Sequence, residues 1–155
     1  MRSLYVLSGL PGSGKSTWAE EFKKTHKEPT FIIASDEIRI ELGGYPQYFE
    51  EESKVWKLFY ERMNEPLVYD DANVIMDSTC LEDKFRRLAV EKAGRFDRKV
   101  LVFFNVSPSI CKFRNENRHD DRKVKDYAMD EMIENFHYPS DEVISLYDSV
   151  LVISI

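Results

Sequence analysis

Lys15 and Ser16 stand together near the end of "GLPGSGKST", Gly9 to Thr17, behind glycines at 9, 12 and 14 spaced as G-x-x-x-x-G-K-[ST]. A lysine and a hydroxyl behind such glycines suit one task. The glycines let successive backbone N–H groups turn inward around phosphate oxygens. The lysine reaches the β- and γ-phosphates, and the serine hydroxyl offers a hard oxygen to Mg²⁺. The spacing therefore predicts that Gly9, Pro11, Gly12, Ser13, Gly14, Lys15, Ser16 and Thr17 hold a nucleoside triphosphate such as ATP with Mg²⁺. The apolar run "LYVLS" before the loop and a helix-like stretch after it supply the strand-to-helix setting that aims a helix N-terminus at an anion.

Three further groups could act on that phosphate. Asp36 and Arg39 in "SDEIR" are three apart, so one helical turn puts them on the same side. The carboxylate could take the proton of an attacking hydroxyl and the guanidinium could grip a phosphate bidentately. On pattern alone, Asp36 reads equally well as a helix N-cap and Arg39 as a solvated residue. Asp77 closes the apolar run "VIMDST" and resembles the acidic strand end that supports Mg²⁺ in phosphate-loop enzymes, directly or through water, while Ser78 and Thr79 read as caps for the next helix. Arg114 and Arg118 are four apart, which predicts one shared helix face from which cations close over the nucleotide. A charged, solvated helix end is the blander reading of that segment.

The elements that must position these groups are legible as short runs. Five apolar, β-rich segments occur at 4–8, 30–34, 73–78, 99–105 and 149–155, the first four apolar nearly throughout, as strands covered on both faces are. Helix-like stretches separate them. One starts at the loop and a second runs from about Glu51 until Pro66 breaks or restarts it; a third spans 82–93 before Gly94. A fourth starts near Pro108 and a fifth covers about 126–136. Strands alternating with helices predict a parallel α/β sheet, with ligands at the carboxyl ends of its strands.

Composition narrows the function classes. The 155 residues read as one domain, with no apolar run long enough for a bilayer and no signal peptide, so a cytoplasmic protein without membrane contact is expected. Cys80 and Cys111 have no metal or redox spacing and are expected reduced. His26, His119 and His137 are scattered. The net charge of −6 argues against a broad nucleic-acid-coating surface. Yet residues 110–125 carry six cations against three acids, net +3, leaving −9 for the remainder. Cationic charge is concentrated there, in a segment suited to a mobile cover.

With these residues in place, the chain resembles the kinase domain of the phage-type 5′-hydroxyl polynucleotide kinases along essentially its whole length. "GLPGSGKSTWAEEF" is similar to that family's phosphate loop and first helix, "SDEIR" to its D-x-x-R element, "MDSTCL" to its acidic strand end and "FRNENR" to its lid. The resemblance implies a three-layer P-loop kinase fold: a five-stranded parallel sheet in order 2-3-1-4-5, with a helical lid over about 112–125. It makes Asp36 the general base, Arg39 a ligand of the acceptor or transferring phosphate, Lys15 and Arg118 ligands of the γ-phosphoryl group, Arg114 a contact of the adenine, and Ser16 and Asp77 the Mg²⁺ residues. Two features depart from the family. No D-x-D-G-T phosphatase element occurs, and "IELGGYPQYFEEES", residues 40–53, is acidic and aromatic where an acceptor entrance is expected, which would repel a long nucleic acid.

The expected activity is transfer of the γ-phosphoryl group of ATP to an alcohol, foremost the 5′-hydroxyl of an RNA or DNA end. A small-molecule, nucleoside or zeta-toxin-like sugar kinase is the alternative on the same architecture. A nucleoside monophosphate kinase fits less well, since its anionic acceptor has little need of a base at Asp36. A nucleotide-switched binding module would need a water-positioning residue, and Gln47, the only glutamine, lies in a loop away from the strand ends.

Overall fold

A computed structural model describes all 155 residues, Met1–Ile155. The five apolar runs form the strands β1 (Ser3–Ser8), β2 (Thr30–Ala34), β3 (Asn73–Asp77), β4 (Arg98–Asn105) and β5 (Ser149–Ser154). They lie in the order β2-β3-β1-β4-β5 with every neighbouring pair parallel, as expected. Parallel pairing requires a crossover between strands, and the helices supply it. These are α1 (Lys15–Thr25), α2 (Ser35–Gly43), α3 (Glu52–Asn64), α4 (Asp83–Lys92), α5 (Pro108–Glu116), α6 (Asp126–Asn135) and α7 (Asp141–Ile144), with a 3₁₀ turn at Glu65–Val68 that carries Pro66. No helix is long and apolar enough to cross a membrane.

Alternation along β1 sorts the core into two layers. Leu4 and Val6 face a cluster with Val55, Phe59 and Met63 of α3 and Ala89 of α4. Tyr5 and Leu7 face the other way, onto Ala19, Trp18 and Phe22 of α1. Each large side chain so buried contributes about 1.5–3 kcal/mol. A third cluster sits over the strand ends: Leu10, Leu81 and Val106, which follow β1, β3 and β4, pack against Cys111 of α5 and Met129 of α6. That cluster anchors the two helices flanking the cationic segment, so the segment hangs over the carboxyl ends of the sheet.

Several local expectations are altered. β2 is only half-buried beyond Thr30 because it lies at the sheet's edge, and so does β5, whose Leu151 and Val152 are exposed. α4 ends at Lys92 with Ala93 as its cap, and Gly94 is not left-handed, so it plays no special part in stopping the helix. α7 is a single turn capped by Ser140 that the sequence pattern does not reveal. Both cysteines are free and buried.

Candidate active site

A cleft of about 1120 Å³ runs along the carboxyl ends of the strands. Its floor is the loop from Pro11 to Thr17. Gly12 and Gly14 adopt φ +83° and +99°, conformations that side chains disfavour. A Cβ on Gly12 would also meet the Cys111 carbonyl oxygen at 2.7 Å, and one on Gly9 would lie 2.7 Å from Ser13 Oγ. The amides of Gly12, Gly14, Lys15, Ser16 and Thr17 have no backbone acceptor, whereas Ser13 N–H donates to Leu10. Unpaired amides at a helix N-terminus, lining a cleft, are what an anion needs.

Lys15 folds back over this loop, and Nζ donates to the carbonyl oxygens of Gly9 and Leu10, each at 2.9 Å. Burial pulls its pKa below the ordinary lysine value, against the upward pull of Asp77 and Asp36. Ser16 Oγ donates to Asp77 Oδ2 at 2.8 Å. Burial raises the Asp77 pKa, opposed by Lys15 and by the Ser16 hydroxyl. No group of three or more His, Cys, Asp or Glu side chains is set to chelate a metal. The pair of hard oxygens from Ser16 and Asp77 nonetheless fits Mg²⁺, which takes one or two protein oxygens and fills its octahedron with phosphate and water.

Asp36 reaches the same cleft by register. Ala34, the last residue of β2, pairs with Asp77, so two residues further on Asp36 stands beside the Asp77 end of β3. The cap of α2 is Ala34, which places Asp36 inside the first turn and removes the N-cap reading. Likewise Glu82 caps α4, so neither Ser78 nor Thr79 does. Asp36 Oδ1 accepts from Arg39 Nη1 at 2.9 Å.

Arg39 itself is 8% exposed and already engaged. Its Nε and Nη2 donate to the two carboxylate oxygens of Glu52 at 3.0 and 2.6 Å, and Nη1 also reaches Ser35 Oγ at 3.4 Å. The rings of Phe49 and Trp56 flank the guanidinium, their centroids 5.2 and 5.5 Å from Cζ. Burial alone would lower the Arg39 pKa, but the bonds to Glu52 and Asp36 outweigh it and the pKa is raised. Arg39 is thus a clamped strut that fixes the carboxylate of Asp36. Glu52, brought in by the packing of α3 on α2, is a site residue that no sequence signal announces.

The cationic segment departs from the expected helical lid. α5 stops at Glu116, and the Asn117 amide turns back to the carbonyls of Arg114 and Asn115. Arg118 therefore lies beyond the helix and does not share its face with Arg114. The cause is Asn115, 1% exposed, which donates Nδ2 to Val124 O at 2.7 Å and accepts the Val124 amide at 2.9 Å. Those two bonds close residues 116–123 into a turn-rich loop. Arg114 and Arg118 still line the cleft, with Arg114 Nη1 3.2 Å from the Gly12 carbonyl. Lys112 is turned aside onto Asp130.

The loop is held down on the β2 side. Arg122 Nη2 donates to Glu37 Oε1 at 3.1 Å, and Gln47 Nε2 donates to the Lys123 carbonyl at 3.3 Å. Gln47 is thus part of the cleft wall after all. Of the acidic and aromatic stretch, Tyr45, Pro46, Gln47 and Phe49 face the cleft, and none of its four glutamates does. Glu51 accepts the Tyr48 hydroxyl at 2.9 Å and Glu52 holds Arg39. These four glutamates are therefore not part of the cleft lining. At the opposite end, Trp18, Phe104, Ile153 and Ile155 build an apolar wall that sequence inspection also misses.

Comparison with known proteins bears on the frame that carries these groups. The family described as AAA domain matches residues 4–139. Among curated proteins, the 2′,3′-cyclic-nucleotide 3′-phosphodiesterase of Pongo abelii is 27% identical over 106 residues, covering 65% of this chain and 23% of that protein. The chain thus spans under a quarter of the length of that relative. The crystal structure of Kti12 from Chaetomium thermophilum in complex with ADP-AlF3 superposes with a TM-score of 0.71 at 14% identity, over 97% of this chain and 88% of that one. A gluconokinase from Sinorhizobium meliloti 1021 does so with a TM-score of 0.62 at 19% identity, over 99% and 82%. The architecture is that of the P-loop kinases.

Proposed function

The chain belongs to the AAA domain family, and from that premise we propose that it transfers the γ-phosphoryl group of ATP to a hydroxyl, in the first place the 5′-hydroxyl of an RNA or DNA end. The observation that carries this reading is Asp36, a carboxylate lining the same cleft as the phosphate loop and fixed there by Arg39. A carboxylate so held can accept the hydroxyl proton as the oxygen attacks in line.

The remaining roles follow from position. The unpaired amides from Gly12 to Thr17 bind phosphate oxygens, and Lys15 swings from the carbonyls of Gly9 and Leu10 to the β- and γ-phosphates. Ser16 and Asp77 hold Mg²⁺, which neutralises phosphate charge when bound. The adenine lies against the wall of Trp18, Phe104, Ile153 and Ile155, with Arg114 above it. Arg118 faces the transferring group. Arg39 acts through Asp36 and offers its one uncommitted N–H to the acceptor side. Positioning and charge neutralisation supply the rate. Lys123 and Lys125, which make no ion pair and line the cleft, suit an acceptor that carries phosphodiesters.

The test is a transfer assay with labelled ATP over oligonucleotides with 5′-hydroxyl ends, nucleosides and sugars. The Asp36→Asn variant keeps an oxygen for Arg39 but has no basic carboxylate. Its turnover should fall about 10²–10⁴-fold, with MgATP affinity little changed. Turnover at the parent rate would remove Asp36 from the base role. Transfer to sugars alone would assign the alternative acceptor class, and ATP hydrolysis indifferent to any acceptor would favour a nucleotide-switched module.

A further inference from the structure

Beside the cleft, next to the end of β3, lies a second hollow of about 250 Å³. Phe49, Thr79, Ala128 and Met132 line both spaces, so a single molecule can occupy the two at once. The walls of the hollow are apolar: Leu81, Met132 and the rings of Phe49 and Phe85, the last two 56% and 42% exposed. Neighbouring large rings left open to water mark a binding surface more often than a random exposure. Arg39 packs on Phe49 from the cleft side and Lys84 stands 5.0 Å from the centroid of Phe85.

The polar groups of the hollow are all uncharged or acidic. Glu82, Glu131, Asn135 and Thr79 line it, and no lysine or arginine does. Glu82 has Lys84 at 4.0 Å, while Glu131 is without an ion-pair partner. Carboxylates repel phosphate and accept hydrogen bonds from N–H groups. Apolar walls with carboxylates at the rim therefore fit a planar, uncharged ring that bears N–H donors. Phe49, which lines both spaces, also ties the hollow to the carboxylate: Arg39 Cζ is 5.2 Å from the Phe49 centroid, and Arg39 Nη1 is 2.9 Å from Asp36.

We propose that this hollow is a subsite for the ring next to the reacting hydroxyl, and that Glu82 and Glu131 make it prefer rings with an exocyclic amino group over rings with a carbonyl at the same place. That this ring belongs to a phosphoryl acceptor rests on the phosphotransfer reading above; the ring preference does not. Phe85 and Phe49 supply stacking area, and the two glutamates supply the selection.

Cytidine and uridine are the discriminating probes, since an amino group in one replaces a carbonyl in the other. Calorimetric titration of the full chain with MgADP present should show cytidine binding about tenfold tighter, as befits one hydrogen bond to a charged group. The double variant Glu82→Gln/Glu131→Gln should bring that ratio close to one, with its fold checked by circular dichroism. Phe85→Ala should weaken both nucleosides about tenfold and leave the ratio in place. Equal binding by the parent chain, a ratio unchanged in the double variant, or no binding of either nucleoside at millimolar concentration would each overturn the subsite. The same pair is then offered as acceptors with MgATP. A ring preference in binding with no phosphoryl transfer to these nucleosides, to oligonucleotides with 5′-hydroxyl ends or to sugars would sink the phosphotransfer reading alone. Transfer with equal KM for both would sink the subsite alone.

Discussion

Glu52 offers the most direct test of how the site is held together. Glu52→Ala removes two of the hydrogen bonds on Arg39, at 3.0 and 2.6 Å, and leaves a guanidinium that is 8% exposed with Asp36 and Ser35 as its remaining partners. Breaking a fully buried ion pair costs about 3–5 kcal/mol. Glu52 is itself 33% exposed, so water enters where the carboxylate stood, and a discount to about 2 kcal/mol is appropriate. For a domain of this size that is a loss of about 4–8 °C in Tm. Glu52→Gln keeps one acceptor and should lose about half as much. The effect on turnover should exceed what folding accounts for. With the strut loosened, Asp36 leaves its aligned position, and kcat should drop about 10–100-fold at a temperature where the variant is fully folded. MgATP affinity should hold, because Glu52 touches nothing in the phosphate loop. The assays are thermal denaturation, MgATP titration and acceptor-dependent turnover on one preparation. Unchanged kcat in a folded Glu52→Ala variant would refute the strut, and a matching loss of MgATP binding would show that the two halves of the cleft are not independent.

Other outcomes follow from the same geometry. Gly12→Ala puts a Cβ at φ +83° and 2.7 Å from the Cys111 carbonyl, so it should lose about 1–2 kcal/mol and most of the thermal shift that MgATP gives the parent, about 2.7 kcal/mol at one hundred times Kd. Acid stability depends on Asp83. Burial raises its pKa, but hydrogen bonds from Ser140 and the fully buried Arg86 outweigh this and hold it below the ordinary carboxylate value. Its contribution is therefore complete above the unfolded-state pKa of about 3.9 and is lost as pH falls through the lower folded value. Urea midpoints should drop on acidification below about pH 4, and Asp83→Asn, less stable at pH 7, should show a flatter acid limb. The Cys80 thiol is pushed up to about 12 by burial and that of Cys111 is raised by burial too, so neither should react with a thiol reagent at pH 8 until the protein unfolds. Fast labelling of the native chain would mean that the packing over the strand ends opens readily.

What could be read from the chain alone has a common physical basis. The phosphate loop is nine contiguous residues whose function depends on backbone conformation, and glycine spacing states that conformation directly. Strand runs are legible because a strand covered on both faces has to be apolar along its length, and their alternation with helices entails a parallel sheet. Asp36 and Asp77 are legible because each stands at the carboxyl end of such a run, Asp77 closing β3 and Asp36 two residues past β2, and in this architecture ligands bind at those ends.

The rest was decided by packing between residues far apart in the chain. The partner of Arg39 is Glu52, thirteen positions on, and nothing in "EEES" marks which glutamate turns inward. Arg118 falls off the helix expected of it because Asn115, an ordinary polar residue by type, is buried and ties the chain to Val124. The apolar wall at Ile153 and Ile155 exists only because β5 lies next to β4 at the edge of the sheet. Sequence thus determined where the glycine-bearing loop of unpaired amides lies and which carboxylates stand near it, since backbone chemistry and strand ends are local properties. The tertiary structure alone decided which side chains hold those carboxylates in place, since a side chain's direction depends on the neighbours that the fold brings to it.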